Sequence, residues 1–87
     1  MSKSTPFLVF EWNPDNEALE IHADNQGLEK LTEYLQHLIK SKKNDHMHLM
    51  TPLWGGKELS AEAQSDNDHL INHVKIIKWN NRSNEQS

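Results

Sequence analysis

Phe7-Leu8-Val9-Phe10-Glu11-Trp12-Asn13-Pro14-Asp15-Asn16-Glu17-Ala18-Leu19-Glu20-Ile21-His22-Ala23 is the stretch that decides the fold class. Its first six residues are rich in strand formers. Asn13-Pro14-Asp15-Asn16 is turn chemistry, because proline pre-sets one φ while Asp and Asn tolerate turn geometry. Glu17 to Ala23 then alternates, with Leu19, Ile21 and Ala23 set against Glu20 and His22. That is the period of a strand covered on one face. The two runs predict an antiparallel hairpin with a four-residue connection. Leu8, Phe10 and Trp12 are the expected inward face of the first strand, and Phe7 and Val9 compete for it.

Beyond the hairpin the period changes. Asp24 or Asn25 can cap a helix by accepting a bond from a free backbone N–H. Leu28, Leu31, Leu35, Leu38 and Ile39 recur at helical spacing, with Tyr34 on the flank and Glu29, Lys30, Glu33, Gln36 and Lys40 opposite. Glu29 and Glu33 suit the N-terminal half of the helix dipole, and Lys40, Lys42 and Lys43 its C-terminus. Neither helix nor hairpin can bury its apolar surface alone, so the leucine stripe is expected to lie on the sheet. His46 to Met50 reads as a third strand, stopped or placed at an edge by Thr51-Pro52. Trp54-Gly55-Gly56 reads as a turn using positive φ. Glu58-Leu59-Ser60 reads as a brief fourth strand, Ala61 to Asp68 as a polar loop, and His69 to Trp79 as a final strand. The Ile76-Ile77 doublet there breaks strict alternation, which implies cover on both faces or a bulge. Trp12 and Trp79 are expected in the core.

The expected fold is therefore α+β: an N-terminal β-hairpin, one amphipathic helix, then two or three strands in a mostly antiparallel sheet with the helix on one face. Residues 6–79 form one domain between disordered tails at 1–5 and 80–87, whose composition is polar. A chain of 87 residues buries only about 60–65% of the surface its unfolded form exposes. The apolar fraction is 34% and the mean hydropathy −0.88, low values that arise mostly in the two ends and one internal loop. No cysteine is present, which excludes a disulfide framework, a thiolate nucleophile and a cysteine zinc site. No apolar run approaches the ~18–20 residues of a membrane span, and the first residues do not make a secretory signal. A cytoplasmic protein without membrane contact is expected.

The net charge is −4, unevenly placed. Glu11, Asp15, Glu17, Glu20, Asp24, Glu29 and Glu33 precede residue 36, against Lys3 and Lys30. This argues against nucleic acid as a ligand and suits a basic protein partner or plain solubility. Gly55-Gly56 lacks the frame of a phosphate loop, and no nucleophile elbow surrounds Ser60 or Thr51. No catalytic residue and no cofactor are assigned, and the chain is not expected to be an enzyme.

The chemically dense segment is Asp45-His46-Met47-His48-Leu49-Met50-Thr51-Pro52-Leu53-Trp54-Gly55-Gly56-Lys57-Glu58-Leu59. Two residues apart on a strand, His46 and His48 share a face. They could ligate a divalent metal with a third ligand from Glu58, His22, His69 or His73, or simply line the solvent face. No metal ligand is assigned from an isolated His-x-His. Trp54, in a Gly-bordered loop, is either an interface anchor or a cap folded back on the core. The expected partner-binding residues are His46, His48, Trp54, Gly55, Gly56 and Glu58.

His46-x-His48-Leu49-Met50-Thr51-Pro52-x-Trp54-Gly55-Gly56-x-Glu58-Leu59, behind an amphipathic helix and ahead of His73-Val74-Lys75-Ile76-Ile77-x-Trp79, resembles the immunity protein 32 family of bacterial polymorphic toxin systems. The resemblance covers roughly Glu17 to Trp79. It implies a non-enzymatic partner of a cognate toxin, made in the same cell to neutralise it. It supplies no catalytic residues, only the motif positions His46, His48, Trp54, Gly55 and Gly56. A histidine-dependent metal-binding protein and a self-associating structural protein, for instance a homodimer, are the alternatives.

Overall fold

The computed structural model describes residues 6–80. Of the expected tails, 1–5 and all of 80–87 except Asn80 lie outside the described residues. Five strands and one long helix follow in the order β1 (Leu8–Asn13), β2 (Ala18–Ala23), α1 (Asn25–Lys40), β3 (Asp45–Met50), β4 (His69–Ile71) and β5 (His73–Lys78). A short 3-10 turn, Pro52–Trp54, follows β3. The α+β class and the N-terminal hairpin are as the sequence predicts. Glu58 to Ser60 do not form a strand, and the expected last strand is two strands.

The strands divide into two antiparallel sheets, β2-β1-β4 and β3-β5. In the first, Leu8 pairs with Ala23 and Asn13 with Ala18, while Phe10 pairs with Ile71 on the other side of β1. In the second, Asp45 pairs with Lys78 and Met50 with His73 in an unbroken register. The Ile76-Ile77 doublet therefore sits in a regular ladder, with no bulge and with Ile77 exposed. The hairpin turn is held by the Asn13 side chain, whose Oδ1 accepts from the backbone N–H of Asp15 at 3.0 Å and of Asn16 at 3.2 Å.

One run of chain serves both sheets. β4 ends at Ile71, Asn72 intervenes, and β5 begins at His73. Thr51, fully buried at the end of β3, fixes the handover. Its N–H donates to Asn72 O at 3.0 Å and its hydroxyl to Asn72 Oδ1 at 2.6 Å. The inward-facing residues change phase there: Ile71 packs on the core from β4, and Val74 and Ile76 from β5. A three-residue step between Ile71 and Val74 breaks the two-residue strand period, so the two segments present opposite parities to one core.

That core contains Leu8, Phe10, Leu49 and Leu59, with Ala23, Leu31, Tyr34, Met47, Ile71, Val74 and Ile76 packed against it. It lies between the two sheets and the helix. The helix meets it along Gly27, Leu31, Tyr34 and Leu38, an i, i+4, i+7, i+11 face. The expected stripe is thus only half used. Leu28, Leu35 and Ile39, displaced by about one residue around the helix, are exposed. The reason is Gly27. Its missing side chain lets the helix backbone approach the Phe7 carbonyl so closely that a Cβ would lie 1.8 Å from that oxygen. This approach turns the Gly27 side of the helix inward.

Asp24 caps the helix and ties it to β1 at once. Its Oδ1 accepts from Gly27 N at 2.7 Å and from Phe7 N at 3.2 Å, while its own N–H donates to Phe7 O at 3.2 Å. Those backbone donors, Gly27 first, hold the Asp24 carboxyl below its ordinary range. At the other end Ser41 N donates to Leu38 O, and Lys78 Nζ donates to the Ile39 and Ser41 carbonyls. The ammonium from β5, rather than Lys40, Lys42 or Lys43, thus satisfies orphan carbonyls at the negative end of the dipole.

The tryptophans depart from expectation. Trp12 is 39% exposed and Trp79 60%. Trp12 lies opposite Leu19, near the turn end of the hairpin, beyond the reach of the helix face. Trp79 follows β5, where the two-stranded sheet ends. Val9 instead is fully buried. It lies on the opposite face of β1 from Phe10, so β1 is covered on both sides. Asn80 is anchored by N to Asn44 Oδ1 at 2.7 Å and by Nδ2 to Lys42 O at 2.8 Å.

Candidate functional site

Alternation in β3 turns Met47 and Leu49 to the core and His46 and His48 outward. Pairing with β5 adds Lys75, opposite His48, and His73, opposite Met50, to that outer face. The rings gather. His46 and His48 pack edge to face with centroids 5.1 Å apart, His48 and His73 lie 5.0 Å apart, and Trp54 lies 5.9 Å from His73. His48 Nδ1 and His73 Nε2 are 2.8 Å apart. One N–H must donate to one bare ring nitrogen, so the bond survives one added proton but not two. Partial burial first, then the neighbouring His73, His46 and Lys75, hold the His48 pKa below its ordinary value.

Trp54 is brought to this face by the loop after β3. The 3-10 turn places Trp54 N on Thr51 O at 2.9 Å, and Gly55, with φ of 85°, reverses the chain. Gly56 N then returns to the same Thr51 oxygen at 3.0 Å. A Cβ on Gly56 would stand 2.5 Å from Met50 O and Cβ, so glycine is required by close approach. Glu58 turns inward rather than outward: its Oε1 accepts from Met50 N at 3.1 Å and Lys57 N at 3.3 Å. Burial alone would raise the Glu58 pKa, but the N–H groups of Met50, Glu58 itself and Lys57 outweigh it and hold the carboxyl low. The result is a braced loop that leaves Trp54 59% exposed instead of folded on the core. The structure thus brings His46, His48, His73 and Trp54 together on an open face, with Gly55, Gly56 and Glu58 shaping the loop behind.

A second cluster lies elsewhere, and the residue-by-residue reading of the sequence did not assemble it. Glu11 and Glu20 are direct partners across β1 and β2, His22 is two residues from Glu20 on the same face, and β4 brings Asp68 alongside. Ligand atoms of Glu11, Glu20, His22 and Asp68 all lie within 4.8 Å of one another. His46, His48 and His73 do not make such a three-ligand group among the described residues. The Glu11 side chain is fully buried, and its Oε2 accepts from Gln64 N in the loop above. Its Oε1 has no hydrogen-bond donor, nor has either oxygen of Asp68. Burial first, then the Glu20 and Glu11 carboxylates, push Asp68 up to about 6. Glu20 is held low by the Asn13 amide first, then by Asp68 and His22. The expected connection over 13–16 would set Glu11 opposite Ala18; the observed register, with Asn13 opposite Ala18, brings Glu11 to Glu20, and like charges directly opposite are unfavourable unless something sits between them.

No helix of the described residues is long and apolar enough to cross a membrane. No curated protein and no solved structure matches the chain significantly. Residues 18–75, two thirds of the sequence, match the model of a family described as Immunity protein 32. The match runs from the start of β2 into β5 and includes the whole histidine–tryptophan segment. On that extent of agreement, the chain belongs to the Immunity protein 32 family.

Proposed function

We propose that this protein is a non-enzymatic immunity protein that neutralises a cognate bacterial toxin by binding it, and that the histidine–tryptophan face is where it binds. Family membership supports the immunity role. The observation that carries the choice of surface is Trp54, held out on a braced loop beside His73. A large ring kept in water by two glycines and an inward-turned carboxylate is a preorganised anchor, and aromatic anchors of this kind dominate binding energy in interfaces. Beyond His73 the row of rings continues through His48 to His46, and these imidazoles offer ring nitrogens that both donate and accept. Gly55, Gly56 and Glu58 act by fixing the loop.

Charge supports a basic partner through encounter more than through contact. Glu11 is buried and Glu20 faces the second cluster, but Asp15, Glu17, Glu29 and Glu33 remain outward. The binding face itself carries Lys75 and imidazoles. Acidic residues off the contact patch steer association and raise the on-rate.

The test is expression of the protein beside the toxin domain encoded next to its gene. Protection of the host, and a 1:1 complex by calorimetry that Trp54→Ala weakens at least about 30-fold, are expected. A neighbouring gene without any toxin domain, or full-strength binding by a Trp54→Ala, His48→Ala variant, defeats the reading.

A further inference from the structure

We propose that Glu11, Glu20, His22 and Asp68 form a binding site for one first-row divalent transition cation, of the Zn2+ or Mn2+ class. The site is separate from the histidine–tryptophan face, and the inference does not depend on partner binding.

Charge is the first reason. Three carboxylates converge within 4.8 Å, and the only cation-forming group among them is His22. The ion pairs of the described residues show the same imbalance: His22 meets Glu11 at 3.9 Å and Glu20 at 3.1 Å, and the remaining pair, Lys30 with Glu33, is on the helix surface. No lysine or arginine of the described residues pairs with the cluster. A dication would leave the four-residue set with one net negative charge.

Unmet bonding capacity is the second reason, and it is independent of the charge count. Glu11 is fully buried, with Oε1 free of any donor and within the 4.8 Å cluster, 3.9 Å from His22 Nε2. Both Asp68 oxygens are likewise buried and without donors. A buried carboxylate normally finds donors or a metal, because desolvation is otherwise uncompensated. Here β1 could have carried an apolar residue at position 11, as it does at 8, 9 and 10.

Geometry is the third. A tetrahedral ion with bonds of ~2.0–2.2 Å spaces its ligands at roughly 3.4 Å. The 3.1 and 3.9 Å separations from His22 Nε2 bracket that spacing. Three of the ligands stand on two paired strands, Glu11 on β1 in direct register with Glu20 on β2 and His22 two residues further on, which is a rigid support, and Asp68 joins them from the loop end just before β4. Three hard oxygens with one imidazole favour a first-row ion over Ca2+ or Mg2+, which take oxygen donors almost alone. A bound ion would clip the Asp68 end of the 61–68 loop to the hairpin. The loop already touches the site through Gln64 N.

The experiment uses tag-free full-length protein, titrated by calorimetry and thermal melting with ZnCl2, MnCl2, CaCl2 and MgCl2. One-to-one binding of Zn2+ or Mn2+, with Tm raised by at least about 10 °C at a hundredfold excess over Kd, is expected, with Ca2+ and Mg2+ far weaker. His22→Ala, at a position one third exposed, and Asp68→Asn should each cost at least about 10-fold in affinity, with circular dichroism confirming the fold. A His46→Ala, His48→Ala, His73→Ala variant should bind as the parent does. Broadening of imidazole NMR signals by substoichiometric Mn2+ gives the same answer without a variant: His22 should broaden before His46, His48 and His73. No binding of any of the four ions overturns the proposal, as does binding that follows the His46, His48 and His73 substitutions or broadening that begins on those rings.

Discussion

Gly27→Ala should destabilise this protein, against the usual trend for a helix. In a helix interior, alanine in place of glycine is favourable by roughly 0.5–1 kcal/mol. Here the new methyl would meet Phe7 O at 1.8 Å, Phe7 C at 2.8 Å and the Ala23 Cβ at 3.2 Å. The first two are backbone atoms and cannot swing away. To reach even the tightest ordinary contact, about 3.0 Å, the helix and the start of β1 must part by about 1.2 Å. That parting strains the reciprocal bonds between Asp24 and Phe7. Overpacking of this kind costs about 1–3 kcal/mol, and weakening one or both hydrogen bonds adds about 1 kcal/mol. After the propensity gain, the net loss is about 2 kcal/mol. For a domain of this size that is a fall in Tm of about 8–16 °C. Urea unfolding followed by circular dichroism at 222 nm reads it directly, with the midpoint lowered and the slope unchanged. An alanine variant as stable as the parent, or more so, would show that the helix does not depend on this approach and would refute the reasoning.

Three further outcomes follow from features already described. Thr51→Val keeps the shape but leaves Asn72 Oδ1 without its donor where the chain passes between sheets; a loss of about 1–3 kcal/mol is expected in chemical denaturation, and an unchanged midpoint would mean the handover does not need that bond. Trp54→Ala should leave stability within about 0.5 kcal/mol, because the ring is mostly in water, while abolishing protection against the toxin; a large drop in Tm would instead make Trp54 a structural residue. The third concerns pH. His48 is held below its ordinary value, so its contribution is fully present above pH 6.5 and is lost as pH falls through the depressed folded value. Stability measured from pH 7.5 down to 5 should therefore fall more in the parent than in His48→Ala, and parallel curves would remove His48 as the cause.

Much of the fold is legible in the residues because local and tertiary signals agree. Asn13-Pro14-Asp15-Asn16 places the hairpin turn, since its geometry is set by side chains within the turn itself. Asp24 marks the helix start for the same reason. The failures share a different cause. Leu28, Leu35 and Ile39 satisfy helical periodicity as well as Leu31 and Leu38 do, and only the approach of Phe7 to Gly27 chooses between the two stripes. Trp12 and Trp79 have the hydrophobicity of core residues, but lie where the sheets have run out of cover. The division of residues 69–78 between two sheets hides in a phase slip from Ile71 to Val74, whereas the visible irregularity, Ile76-Ile77, marks nothing. At the candidate site, the shared face of His46 and His48 follows from strand geometry alone. The contribution of His73 and the inward turn of Glu58 require the β3–β5 pairing and the loop's hydrogen bonds, which no local pattern encodes. Glu11 reads as one more surface acid until its register with Glu20 is drawn.

The handover at Asn72 has a consequence for synthesis. While the chain emerges from the ribosome, β1 has β2 for company early, but its other edge stays bare, and β3 has no partner at all. Both vacancies are filled by the same ten residues, 69–78. Neither sheet can close before that segment is free in solution, and it follows in the chain every strand it pairs with, so both sheets wait on the same late pairing. In the interval its open strand edges are the ones on which a nascent chain is most prone to stick to its neighbours.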